Sequence, residues 1–192
     1  MLRRLYDWTI SLAASPHALW ALAAVAFIES SVFPIPPDVL MIPMIVARPR
    51  MAFRIAAVAT VASVAGGLFG YWIGANLFDT VGRPVLEFYG KDAYFGEFAQ
   101  TYNAWGAWAV LIAGVTPFPY KVITILSGTT GLDVWIFLAA SITARGLRFF
   151  VLAALLWKFG APIRDFIERR LGLMFTLFVV ILLGGFYLVR FL

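Results

Sequence analysis

The chain has no cysteine and a single histidine, His17, among its 192 residues. The lack of thiols excludes disulfides and thiolate metal sites, and one imidazole cannot build a histidine-rich metal centre. Charge is scarce as well: 13 % of residues are Asp, Glu, Lys or Arg, where an ordinary soluble domain has about 25 %. Also missing are a glycine-rich phosphate loop, a metal-ligand spacing and a nucleophile elbow. No enzyme activity, cofactor or metal is therefore expected. With no nucleotide-hydrolysing element, any transport would be passive or ion-coupled.

What is present is apolar. Hydrophobic residues make up 62 % of the chain and its mean hydropathy is +0.91, against about 45–50 % apolar in soluble domains. One soluble core of this size could not hold so much Leu, Phe, Ala and Val, so lipid must solvate the surplus. The expected fold is an all-α membrane protein, one polytopic domain over 1–192 in the cell inner membrane. The net charge of +5 sits in short loops beside apolar runs, which points to topology and anionic lipid rather than nucleic acid. Arg3 and Arg4 resemble the start of a signal peptide, but Pro16 and His17 interrupt the apolar stretch behind them. Residues 1–14 read as an amphipathic helix at the membrane surface, with Leu2, Leu5, Ile10 and Leu12 toward lipid. Whether that helix spans instead stays open.

Proline decides how the long apolar segments are used. Ala56–Phe78 is a good span, with Gly66, Gly67, Gly70 and Gly74 forming a small-residue face for close packing. Val134–Trp157 would span with Arg145 and Arg148 inside it, and Leu171–Val189 is a clean final span. Ala18–Ala47, by contrast, contains Glu29, Pro34, Pro36, Pro37, Asp38 and Pro43. Trp105–Gly128 is broken by Pro117 and Pro119 and carries Lys121. Proline removes a donor and clashes with the preceding turn, and broken backbone at membrane depth must be covered by protein or water. One kinked span is an alternative, but a re-entrant hairpin that leaves on its side of entry fits better. Asp79–Asn103 reads as a polar loop with a short interfacial helix near Ala93–Tyr102.

An internal repeat strengthens the hairpin reading. Pro34-Ile-Pro36-Pro37-Asp38-Val39 matches Pro117-Phe-Pro119-Tyr120-Lys121-Val122 at an offset of 83 residues (117 − 34). Repeat one would cover about 17–78, the loop 79–103, and repeat two 104–160. Paired, proline-interrupted segments of this kind mark midplane sites in inverted-repeat transporters. Entry of the first hairpin from the cytoplasm puts Arg3, Arg4, Arg48, Arg50, Arg54, Lys158, Arg164, Arg169 and Arg170 inside, as the positive-inside rule requires. The hairpins then face each other from opposite sides, with tips at Pro34–Asp38 and Pro117–Lys121.

Five ionisable residues lie in apolar surroundings: Glu29, Asp38, Lys121, Arg145 and Arg148. Each costs about 2.5–3.5 kcal/mol to insert at a helix centre, so such residues usually pair or mark a substrate or proton path. Asp38 and Lys121 hold equivalent repeat positions, which would bring opposite charges toward a shared axis. Arg145 and Arg148, three residues apart, share a helix face. Burial favours the protonated carboxyl, making Glu29 and Asp38 candidate proton carriers or gates. Lys121, Arg145 and Arg148 suit a phosphate, which takes several positive donors. A permanent salt-bridge lattice that only joins the repeats is the bland alternative.

At these residues the sequence resembles the DedA family, also called the SNARE-associated or VTT domain. Phe27-Ile28-Glu29-Ser30, Pro34, Pro36-Pro37-Asp38 and Leu40 look like its first signature. Thr116-Pro117-Phe118-Pro119-Tyr120-Lys121 with Gly128 is similar to its second, and Thr143-Ala144-Arg145-Gly146-Leu147-Arg148-Phe149 to an element of the YqaA-like branch. The resemblance covers about residues 18–160. It implies movement of lipid between leaflets, with Glu29 and Asp38 at the acidic positions and Lys121 in place of a family arginine. The family's arginine upstream of the second proline element is missing here. The expected function is a flippase or scramblase for an anionic phospholipid or polyprenyl phosphate, with proton coupling and homo-oligomerisation left open. A proton- or cation-coupled exporter of small solutes is the alternative.

Overall fold

A computed structural model of the chain describes residues 17–32, 36–88, 90, 92–116 and 118–189, with backbone alone at 79, 81, 85–86, 92–93, 161 and 163–189. The expected surface helix at 1–14 and the tip prolines Pro34 and Pro117 lie outside the described residues. Among the described residues every regular element is helical: α1 Ala18–Ser31, α2 Asp38–Ala47, a 3₁₀ turn Pro49–Met51, α3 Ala52–Leu77, a π turn Phe78–Gly82, α4 Arg83–Phe88, α5 Asp92–Val115, α6 Tyr120–Thr129 and α7 Val134–Val189. Pro49–Leu77 and Val134–Gly160 are long and apolar enough to cross a membrane.

Two breaks fall where proline demands them. Pro37 and Pro119 immediately precede the first residues of α2 and α6. At about 1.5 Å per residue α1 is roughly 21 Å long and α2 roughly 15 Å, both short of the ~30 Å hydrocarbon layer. Between 92 and 115 there is no proline. The segment expected as loop plus interfacial helix is accordingly helical: its first part is the π turn and α4, and from Asp92 it is the first half of α5, which continues to Val115. Likewise α7 runs through Pro162 to Val189, so the expected final span at Leu171–Val189 is backbone-continuous with the span before it. A proline costs one hydrogen bond there, and the following Ile-Arg-Asp-Phe-Ile-Glu-Arg-Arg stretch has residues able to sustain the helix.

α3 and α7 form an antiparallel central pair. Near one end Phe53 meets Phe150 and Trp157, with ring centroids 6.3 and 6.0 Å apart, and near the other Tyr71 meets Phe137 at 5.3 Å. Around the first end, Ala18 and Leu22 of α1 and Met44 and Ile45 of α2 share a core with Ile55 and Leu156. The start of α1 and the end of α2 are thus neighbours. Around the second end, Val110 of α5 and Ile123 of α6 share a core with Leu132 and Phe137. The small-residue face of α3 is where α1 and α6 seat: a Cβ at Gly66 would collide with the Phe27 backbone. Gly74 and Gly128 are reciprocal, each leaving room for a backbone carbonyl of the other helix, Ile125 and Tyr71 respectively. Such approach is available only to residues without a Cβ.

Candidate functional site

The five ionisable residues converge where the helix breaks meet, halfway along the α3–α7 pair. α1 delivers Glu29 from its last turn, α2 delivers Asp38 from its first, α6 delivers Lys121, and α7 carries both arginines. They form two pairs. Arg145 Nη2 donates to Glu29 Oε2 at 2.8 Å, and Arg148 Nη2 donates to Asp38 Oδ2 at 2.6 Å.

The first pair is closed. Arg145 is 2 % exposed and Glu29 14 %. The guanidinium carbon lies over two rings, 4.8 Å from the Tyr120 centroid and 4.7 Å from that of Phe149, both close enough for cation–π attraction. Its Nε donates to Ser63 Oγ at 2.6 Å. Ser63 Oγ is 2.6 Å from Ser30 Oγ, and Ser30 Oγ donates to Glu29 Oε2 at 3.1 Å. Each hydroxyl owns one proton; Ser30 spends its own on Glu29, so Ser63 donates to Ser30. Every donor in the ring therefore points toward Glu29, an arrangement matched to a carboxylate. Tyr120 is held in turn by its bond to Ser141.

The second pair is open. Arg148 and Asp38 side chains are 25 % and 21 % exposed. Arg148 Nη1 also donates to the Thr116 carbonyl at 2.9 Å, and Lys121 Nζ donates to the Val32 carbonyl at 3.1 Å. Thr116 and Val32 directly follow α5 and α1. Carbonyls at helix C-termini have no partner within the helix, and cations are favoured there, so each cation seals one broken end. Asp38 thus pairs with Arg148, not with Lys121 as the repeat positions suggested. Asp38 and Lys121 do lie in the same region, but Lys121 bonds the carbonyl that follows α1. Thr124 Oγ1, one turn along α6, donates to Ser30 O at 3.1 Å and ties α6 to the end of α1.

All five residues singled out in the sequence lie in this region, as do Pro36, Pro37 and Pro119 at the starts of α2 and α6. Ser63 was not foreseen, and Ser30, Thr116, Tyr120 and Phe149 stood in the quoted motifs without a role being expected of them. Among the described residues no three His, Cys, Asp or Glu come close enough to share a metal ion.

The family model that matches is the VTT domain, over residues 16–158. The chain belongs to the VTT domain family. That match covers both pairs and both helix breaks, and fits the resemblance to DedA proteins carried by the motifs around Glu29, Asp38, Lys121 and Arg145. Among curated relatives, an uncharacterized protein of Haemophilus influenzae is 36 % identical over 168 residues, 85 % of this chain and 87 % of the relative. An uncharacterized homologue from Histophilus somni shows the same identity over the same length and shares. No solved structure matches the chain. VTT membership, the apolar composition and the two long apolar helices together make this a helical membrane protein.

Proposed function

We propose that this VTT domain protein moves a phosphate-bearing membrane lipid between leaflets, as a flippase or scramblase, with Lys121 and Arg148 binding the phosphate and Asp38 as the gate. The observation that carries this reading is the partial exposure of the Asp38–Arg148 pair between two broken helices. A guanidinium has five N–H donors, and those of Arg148 not spent on Asp38 and Thr116 can receive phosphate oxygens; Lys121, half-buried, brings a second charge. A phosphate would then replace Asp38 as the counter-charge of Arg148. Arg145 is 2 % exposed with two rings against it and its Nε and Nη2 engaged, so its role is to anchor rather than to bind.

Membrane geometry supports the same reading. Exposed Trp135 and Trp157 lie on α7, separated along the helix by about 33 Å at 1.5 Å per residue. That matches a ~30 Å hydrocarbon layer flanked by interfacial aromatics. Arg145 falls near the middle of that interval. Arg50 and Arg54 lie at the Trp157 end, beside Lys158, and Asp133 lies at the other. This favours a multi-pass inner-membrane protein with the Trp157 end cytoplasmic. α1 and α2 then enter and leave on that side as one re-entrant hairpin, and the paired ends of α5 and α6 form its inverted counterpart.

The test is leaflet exchange in vesicles containing the purified protein, using labelled phosphatidylglycerol and polyprenyl phosphate. Exchange well above protein-free vesicles is the expected result. No exchange of either lipid, with gradient-driven efflux of a small cation instead, would overturn the lipid reading in favour of a coupled exporter.

A further inference from the structure

α1 stops at Ser31, level with Gly70 on α3, where a Cβ would lie 3.3 Å from the Ser30 carbonyl. Past that level the flank of α3 beside α6 has lost its cover. A cleft of about 240 Å³ opens there, lined by Ile73, Gly74 and Leu77 of α3, Phe78 of the π turn, and Ile125 and Thr129 of α6. Its walls are almost wholly apolar, and the volume has room for about eight groups of water or methylene size. π turns within helical runs frequently occur at functional sites, and this one forms the cleft's far wall.

One stripe of α6 links the charged site to the cleft. Lys121, Ile125 and Thr129 recur every four residues, so they form one stripe along α6, and all three are half-buried. The stripe begins with an ammonium group at the break between helices and runs about 12 Å, at 1.5 Å per residue, into the apolar recess. A cation followed by an apolar trough complements an anionic headgroup followed by a hydrocarbon tail.

We infer that this cleft binds the acyl chain of the anionic phospholipid whose phosphate sits on Lys121. The inference rests on the lipid-transport reading and deepens it. A phosphate that reaches the centre of the bilayer needs its tail accommodated. The recess left by the short α1 provides that space, open to the outer half of the membrane. Lipid then travels with its headgroup on the protein's charges and its tail in an apolar, laterally open trough.

Photolabelling tests this directly. The full-length protein is placed in vesicles of phosphatidylcholine with a minority of phosphatidylglycerol carrying a diazirine at the end of one acyl chain, and adducts are mapped by mass spectrometry. Adducts should concentrate on Ile73, Leu77, Ile125 and Thr129 relative to Val61, an α3 residue 70 % exposed and remote from the cleft. In Lys121→Met, cleft labelling should fall about tenfold, as expected for losing one charge-assisted hydrogen bond, while Val61 labelling stays constant. A diacylglycerol probe with the same chain and no phosphate should label the wild-type cleft equally weakly, which requires no folded variant. Labelling of the cleft no stronger than of Val61, or equal labelling by diacylglycerol, overturns the inference. Stronger labelling by a polyprenyl phosphate probe overturns the choice of tail. Leaflet exchange in the same vesicles is scored separately: exchange without cleft labelling removes the tail site alone, and cleft labelling without exchange removes the transport reading alone.

Discussion

Arg145 and Arg148 stand three residues apart on one helix, each paired with a carboxylate from α1 or α2, yet their surroundings differ in kind. Arg145 is enclosed by two rings, a serine and Glu29, with 2 % of its side chain exposed; Arg148 keeps 25 % exposed and touches Asp38 and a helix-end carbonyl. A guanidinium enclosed by protein fixes structure, because releasing it exposes charges that hydrocarbon cannot solvate. One with an open side can exchange partners at lower cost. Each arginine spends two donors on these bonds, so it is exposure, 2 % against 25 %, that sets them apart.

The widest separation between the pairs should come from removing the enclosed arginine. Arg145→Met leaves Glu29 unpaired at depth, and loss of one partner of a buried pair costs about 3–5 kcal/mol. Thermal melting in detergent should show a steep drop in stability, and a near-normal melting temperature would break the comparison. A smaller loss is expected from Ser63→Ala, which removes the acceptor of Arg145 Nε and the donor to Ser30; an orphaned buried polar group costs about 1–3 kcal/mol. The same melting experiment would show Ser63 to be incidental if Ser63→Ala matched wild type. The smallest effect belongs to the open pair. Asp38→Asn keeps a hydrogen-bonding oxygen for Arg148, and a partly open pair loses less than an enclosed one when a partner is changed. Its melting temperature should stay near wild type, whereas Glu29→Gln should lower it; equal shifts would erase the distinction.

Much of this is legible in the chain because proline and charge are costly in a membrane. Pro37 and Pro119 mark the starts of α2 and α6, and the glycines of α3 mark where α1 and α6 approach. The five ionisable residues mark the central region because each is expensive at depth. Their pairing is not legible. Repeat symmetry matches Asp38 with Lys121, but a helix end must also satisfy its carbonyls, and the Val32 carbonyl claims the lysine. Ser30 and Ser63 carry no such mark, since a serine's role depends on which helix lies opposite. Only the antiparallel register of α3 and α7 puts Ser63 beside Arg145. The start of α5 is hidden for another reason. Apolarity rises only near Trp105, whereas the helix begins at Asp92, because no proline stops it before Val115.

The central claim is that Arg148 binds lipid phosphate while Arg145 holds the fold. Its most direct test is Arg148→Ala, purified, reconstituted in vesicles, and measured for both thermal stability and phosphatidylglycerol exchange. The account predicts melting close to wild type with exchange reduced about tenfold or more, the loss of at least one charge-assisted hydrogen bond. Wild-type exchange by a folded Arg148→Ala protein would contradict it.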